Sequence, residues 1–289
     1  MNAVAVAPAR EHLRRTWYAF SRNGGSVVGL GIVVAIVLLT TFAPWLTPFP
    51  RHARAFTDFE HAGLPPGRPY AFGTDTIGRD IFTRVVFGYR FSLLLGVVVL
   101  TAAVPTGVLL GLLAGYYRGW PETVIMRITD IFLSIPPLAL ALAIMAVLQP
   151  NLQNAMLAVS AMWWPWYTRL VYGLVSSLRT EGYVQAAQIV GASPAHILLR
   201  EILPNCLPAV LTKMTLDMAF VILIGSSLSF LGLGVQPPDP DLGTMVADGA
   251  KYMPDLWWIS VFPGLAILVV VLGFSLLGDG LRDVFGVEV

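Results

Sequence analysis

The chain has no charged residue from Asn23 to Pro50, from Phe91 to Tyr117 or from Leu256 to Gly278. A helix needs about 20 predominantly apolar residues to cross a bilayer, so each of these runs reads as a membrane span. The rest of the composition agrees. Only 12% of the 289 residues are charged, against roughly 25% in a soluble domain, and the mean hydropathy is +0.72. Lipid is therefore the main solvent, and the fold class expected is an all-α membrane protein.

Taken in order, residues 1–25 form a polar tail with Arg10, Arg14, Arg15 and Arg22. Leu13, Trp17 and Phe20 allow either a short amphipathic surface helix or a disordered tail. The apolar run that follows is too long, and lacks an early small-residue cleavage site, for a removed signal peptide to be expected. Val27 to Phe42 makes the first span, ended by Pro44, Pro48 and Pro50, and residues 51–75 read as an extended loop. From Thr74 or Asp75 as cap, Ile77, Ile81, Phe82, Val85, Val86 and Tyr89 mark one face of a helix, with Arg79, Asp80, Arg84 and Arg90 on the rest. Such a segment should lie along an interface. Arg79 and Asp80 are adjacent and so cannot face each other on a helix, which makes their role structural.

Span two is Phe91 to Tyr117 with a kink at Pro105, and span three is about Thr123 to Leu148. In span three Arg127 and Asp130 stand one turn apart and can pair, while Pro136-Pro137 must free backbone carbonyls. Span four covers about Ala155 to Val175, with Trp163, Trp164 and Trp166 around Pro165 and Arg169 near its end. Span five, about Pro208 to Leu231, contains Lys213 and Asp217 at i and i+4. An ionisable group within a span is a functional candidate by default, so Asp217 serves either a water-filled pathway or a buried ion pair. Span six is Leu256 to Gly278, with Trp257 and Trp258 at its mouth. Three divisions follow: the 1–25 tail, a 26–90 unit of first span, loop and interfacial helix, and a 91–289 core.

Between spans four and five lies EGYVQAAQIVGASPAHILLREILPN, Glu181 to Asn205. Thr180 can cap a first helix, Gly191 breaks it, Ser193 and Pro194 restart one as N-cap and first residue, and Pro204 closes it. Ala186, Ala187, Gly191 and Ala192 leave one flank without bulk. This hairpin is either a docking lever for another protein or a plain connection between two spans.

Gln185-Ala186-Ala187, Gly191 and Ile202-Leu203-Pro204 resemble the EAA loop of ABC-importer permeases. FGTDTIGRDIFTRVVFGYRFSLL, DIFLSIPPLALALAI, SSLSFLGLGVQPPDPDLG and GDGLRD resemble, in the same order, blocks of the dipeptide/oligopeptide/nickel (DppC/OppC-like) branch. The resemblance runs from Phe72 nearly to the end. It departs at Gln185, where the motif has glutamate, at Glu201, where the branch often has histidine, and at Gly225 and Leu242, where it often has an acid and a tryptophan.

The resemblance implies a type I ABC-importer transmembrane domain of six helices with a cytoplasmic coupling loop over 177–207. Tyr183, Gln185, Ala186, Ala187, Gly191, Ala192, Ser193, Leu203 and Pro204 would meet the ATPase, and Asp217, Ser226 and Ser229 are candidates for the translocation pathway. The implied partners are a second related permease in a heterodimer, two ATP-binding subunits that use ATP and Mg, and an extracytoplasmic binding protein. The cargo implied is a di- or oligopeptide, with nickel or another small solute as the alternative. A self-contained channel or secondary transporter is the competing class, lowered by the lack of an inverted repeat of broken helices.

Six spans put both termini on one side. Arg10, Arg14, Arg15, Arg22 and the Arg118 turn give a mild positive-inside preference for the cytoplasm of a bacterial inner membrane. No G-x-x-x-x-G-K-[ST] occurs, so any ATP is hydrolysed elsewhere. Net charge +1 gives no basic face for nucleic acid. The lone Cys206 excludes an internal disulfide, and His12, His52, His61 and His196 lack metal-ligand spacing, with His52 and His61 expected to be solvated. No cofactor or catalytic constellation is expected.

Overall fold

The computed structural model describes residues 17–18 and 20–286 and is helical throughout its core. Helix α1, Gly24–Thr41, starts where Asn23 accepts from the Gly25 N–H at 3.0 Å. Helix α2, Ile81–Tyr116, is a single 36-residue rod capped by Asp80, which accepts from the Thr83 N–H at 2.8 Å. It corrects the sequence reading in two ways. The cap is Asp80, not Thr74 or Asp75, and the charged segment before span two is no separate interfacial helix but the first turns of that span. The cause is Asp75, whose Oδ1 accepts from the Ile77 and Arg79 N–H groups and so holds 75–79 as a turn.

Helices α3, Trp120–Leu133, and α4, Pro137–Met145, meet at 88°. The segment expected as span three is therefore sharply bent, not straight, because Pro137 lacks an N–H and pushes the residue before it out of helical conformation. Helix α5, Leu152–Leu178, runs unbroken through Pro165. Helix α6, Gly182–Ile189, is followed by α7, Pro194–Phe230, whose Ile197–Ile202 turn is wound as a π-helix. Helix α8, Leu242–Ala250, and helix α9, Trp258–Phe285, complete the described chain.

Small residues bring the helices together, as expected where lipid provides no hydrophobic drive between them. Gly107, Gly111 and Gly115 recur every fourth residue on α2 and face Tyr167, Val171 and Val175 of α5. A Cβ on Gly111 would lie 2.7 Å from the Val171 Cβ, and one on Gly115 2.6 Å from that of Val175. On α1, Gly29 lies against Gly273 and Leu277 of α9, and Asn23 Nδ2 donates to Asp283 at 2.7 Å across the same pair.

Residues 42–80 fold back over one end of the bundle. Two short 3-10 turns, Pro50–Ala53 and Phe59–His61, shape this loop. Phe72 stacks on Phe262 at 4.1 Å, and Trp258 Nε1 donates to the Thr74 carbonyl at 3.1 Å. His52 is buried there and not solvated as its loop setting suggested: its ring stacks on Phe56 at 4.0 Å. The tail reading falls largely outside the described residues, except that Trp17 stacks on Phe20, which is buried.

Among the described residues four helices are long and apolar enough to cross a membrane, α1, α2, α7 and α9, or five if the bent pair α3–α4 is one span. Helix α5 is 27 residues long, but its tryptophans, tyrosines and amides make it more polar than these.

Candidate functional site

The 180–205 hairpin lies at the far end of the bundle from the 42–80 loop. Arg179, just past α5, donates to the Tyr116 carbonyl at 3.5 Å, so the end of α5 meets the end of α2. The 42–80 loop packs on the other end of α2, about 54 Å away at 1.5 Å per residue.

Local chemistry sets the corner. Glu181 occupies the N-cap of α6 without a side-chain bond, and Thr180 Oγ1 instead donates back to the Ser177 carbonyl at 2.8 Å. The expected Thr180 cap is therefore wrong, because the hydroxyl is taken by the preceding helix. Gln185 Nε2 donates to the Thr180 carbonyl at 3.0 Å and ties α6 to α5. At the other end Gly191 takes φ +83°, where only glycine is unstrained. The Gly191 N–H bonds the Gln188 carbonyl at 3.0 Å and the Ala192 N–H bonds that of Ala187 at 3.0 Å. This is a Schellman stop. Ser193 Oγ accepts from the His196 N–H at 3.3 Å, with Pro194 in the first turn, as the sequence indicated.

The second arm does not end at Pro204. It continues as α7, because the Leu203 N–H reaches the Leu198 carbonyl in the wide π turn that precedes the proline. The second arm of the hairpin is thus continuous with a helix long and apolar enough to cross a membrane.

Its inner face is apolar and closed: Val184, Ile197 and Ile202 are no more than 1% exposed. Its outer face is open. Tyr183, Gln185, Ala186, Gly191, Ser193 and Pro204 are exposed, and Ala187, Ala192 and Leu203 are half-buried. Tyr183 accepts weakly from Asn205 at 3.4 Å. Two residues that sequence reasoning passed over dominate the tip: Ile189 and Val190, each 86% exposed. Their signal was available, since two β-branched residues just before the chain-reversing glycine cannot both face inward.

Lys213 and Asp217 pair within span five, and a tryptophan of span four joins them. Lys213 Nζ donates to Asp217 Oδ1 at 3.1 Å, and Trp163 Nε1 donates to Oδ2 at 3.0 Å. Asp217 is 5% exposed, so the ion-pair alternative is the geometry adopted. Ser226 and Ser229, also buried, line a narrow crevice with Ser92, Leu95, Gly225 and Asp241, and Asp217 is not part of it. Arg169 pairs across helices with Asp130. The expected Arg127–Asp130 pair is thereby replaced by one between α3 and α5. Asp58, Glu60 and His61 cluster on the surface of the 42–80 loop.

The chain matches the model for "binding-protein-dependent transport system inner membrane component" over residues 107–286, and that for the "N-terminal TM domain of oligopeptide transport permease C" over residues 12–66. It is 42% identical to the dipeptide transport system permease protein DppC of Alkalihalophilus pseudofirmus, over 97% of this chain and 90% of that protein. It is 44% identical to the probable D,D-dipeptide transport system permease protein DdpC of Escherichia coli, over 89% and 86%. Among solved structures, a chain of the MetNI methionine ABC transporter superposes with a TM-score of 0.59 at 20% identity, covering 71% of this chain and 97% of that one. The chain belongs to the family of binding-protein-dependent transport system inner membrane components, as a multi-pass permease of the DppC/OppC-like branch.

Proposed function

We propose that this permease forms half of the translocation pathway of an ABC importer for di- and oligopeptides and takes its energy through the 180–205 hairpin. Members of this family are transport permease subunits and not enzymes, and the family gives this subunit no cofactor of its own. The peptide cargo is supported by relatives that are dipeptide permeases at 38–44% identity. In this reading α5 is the sixth span, both termini are cytoplasmic, and the hairpin faces the cytosol. The working machine adds a second homologous permease, two ATP-binding subunits that hydrolyse ATP with Mg, and an extracytoplasmic binding protein.

The observation that carries the mechanism is the exposed apolar tip, Ile189 and Val190, on a lever continuous with α7. A contact that differs between two ATPase states would bias the conformations of this chain. ATPase closure would push the tip, and the π turn and α7 would carry that push to the crevice at Ser226 and Ser229. Asp217, held by Lys213 and Trp163, braces α5 against α7.

The test is assembly and coupling in one sample. The permease pair should retain its ATP-binding subunits through detergent purification, and binding protein loaded with dipeptide should stimulate ATP hydrolysis. Removal of 182–192 should abolish both while leaving the chain in the membrane. ATPase retention without that segment would count against the lever.

A further inference from the structure

At the end of the bundle away from the hairpin, a cavity of about 210 Å³ opens between the 42–80 loop, the first turn of α2 and residues 237–252. Most of the charge on its walls is spent internally. Arg79 Nε donates to Asp75 Oδ2 at 2.6 Å, and Lys251 Nζ donates to Asp248 Oδ1 at 2.9 Å. Asp241 accepts from the Thr244 N–H at 3.0 Å as the cap of α8.

Two groups of opposite charge keep unused hydrogen-bonding capacity. Arg84 is 5% exposed, and among the described residues only its Nη1 donates hydrogen bonds, long ones of 3.3 Å to the His52 carbonyl and 3.4 Å to that of Pro238. Its Nε stands 3.9 Å from Asp75. Asp239 follows Pro238 along the same wall, is exposed, and has no hydrogen-bond or ion-pair partner among the described residues. Asp75 forms a long ion pair with Arg84 and leaves most of its five N–H donors to water or a ligand in the cavity. One wall of the cavity thus carries a guanidinium with free donors and a carboxylate with free acceptors.

We infer that this cavity binds a small zwitterion, its carboxylate on Arg84 and its primary ammonium on Asp239, and that short peptides with both termini free are its ligands. The volume of about 210 Å³ lies below the roughly 300–1,000 Å³ of a drug-sized site and suits an occupant of one or two amino-acid residues. The peptide assignment rests on the cargo reading above; the charge pattern does not.

Isothermal titration calorimetry decides it, on the full transporter without binding protein, in nanodiscs of phosphatidylcholine and phosphatidylglycerol. The probes are Ala-Ala, N-acetyl-Ala-Ala and Ala-Ala amide. Saturable binding of Ala-Ala is expected, weakened about tenfold by blocking either terminus, as for the loss of one charge-assisted contact. Asp239→Asn should weaken Ala-Ala by about the same factor and leave N-acetyl-Ala-Ala unchanged. Because Asp239 belongs to this chain and is exposed, the variant separates this site from any on the partner permease without threatening the fold. No saturable binding, equal binding of the blocked probes, or an Asp239→Asn protein indistinguishable from wild type would each overturn the inference. So would phosphatidylethanolamine in the nanodisc abolishing Ala-Ala binding, since the cavity would then be a lipid headgroup site. ATP-driven Ala-Ala uptake with the binding protein present reports on the cargo separately: uptake without this binding removes only the inference, and no uptake removes the cargo reading.

Discussion

The Asp80 N–H donates to His52 Nδ1 at 2.9 Å, so the group that caps α2 also fixes a buried imidazole in its neutral form. Burial lowers the His52 pKa from its usual value of 6.5, against the opposing charges of Asp80, Asp58 and Asp75. A lowered histidine pKa means that the folded state disfavours the bound proton. The stability it carries is complete above about pH 6.5 and is lost as pH falls through the folded value.

Burial also raises the Asp80 pKa above its usual 3.8. That shift acts with the opposite sign, favouring the fold as pH falls through the raised value. Through His52, melting of the purified chain should fall between pH 7 and pH 5, by about 2–4 °C for each kcal/mol lost. His52→Asn, which keeps an acceptor and loses the titration, should flatten that slope. An unchanged slope in the variant would place the pH response elsewhere.

Gly111 tests the seam between α2 and α5. A methyl added there would meet Val171 Cβ at 2.7 Å and the Thr168 carbonyl at 2.8 Å. Gly111→Val should force the helices apart at a cost of about 1–3 kcal/mol. Fluorescence-detected size exclusion after heating would register it as earlier loss of the monodisperse peak. By contrast Gly173, where an added Cβ meets nothing within 4 Å, should accept alanine without that loss.

Gly191 separates backbone strain from bulk. Nothing lies within 4 Å of a Cβ at this position, yet its φ is +83°. Gly191→Leu should therefore act through the backbone, at about 1–2 kcal/mol, by opening the Schellman corner. Membrane levels should stay normal while uptake and binding-protein-stimulated ATP hydrolysis fall at least about tenfold. Ile189→Asp with Val190→Asp should give the same result with the corner intact. Normal uptake in both would end the lever model.

The Lys213–Asp217 pair predicts an asymmetry. Asp217→Ala leaves a half-buried ammonium beside Trp166 and Tyr167, whose rings lie 5.7 Å from Nζ, at a cost below the roughly 3–5 kcal/mol typical of a fully buried pair. Lys213→Met combined with Asp217→Leu should restore much of the lost melting temperature. If the double variant is stable yet inactive in uptake, Asp217 has a transport role beyond bracing.

Local chemistry carried what was legible in the chain. Uncharged runs longer than a bilayer is thick can only be spans, and the Gly191 and Ser193-Pro194 signals act on the backbone within a turn, so the corner of the hairpin was readable in advance. Contacts between distant segments were not. Asp130 could pair within its own helix, but packing placed Arg169 of α5 closer. His52 looked solvated until the 42–80 loop closed over it. The course of α7 through Pro204 depended on a wide turn that no propensity encodes, and the Arg84–Asp239 juxtaposition joins residues 155 positions apart in the chain. Sequence determines structure unaided where the interacting groups are neighbours along the backbone. Where several partners satisfy the same charge equally well, the packed helices make the choice, because only they set which of those partners comes within reach.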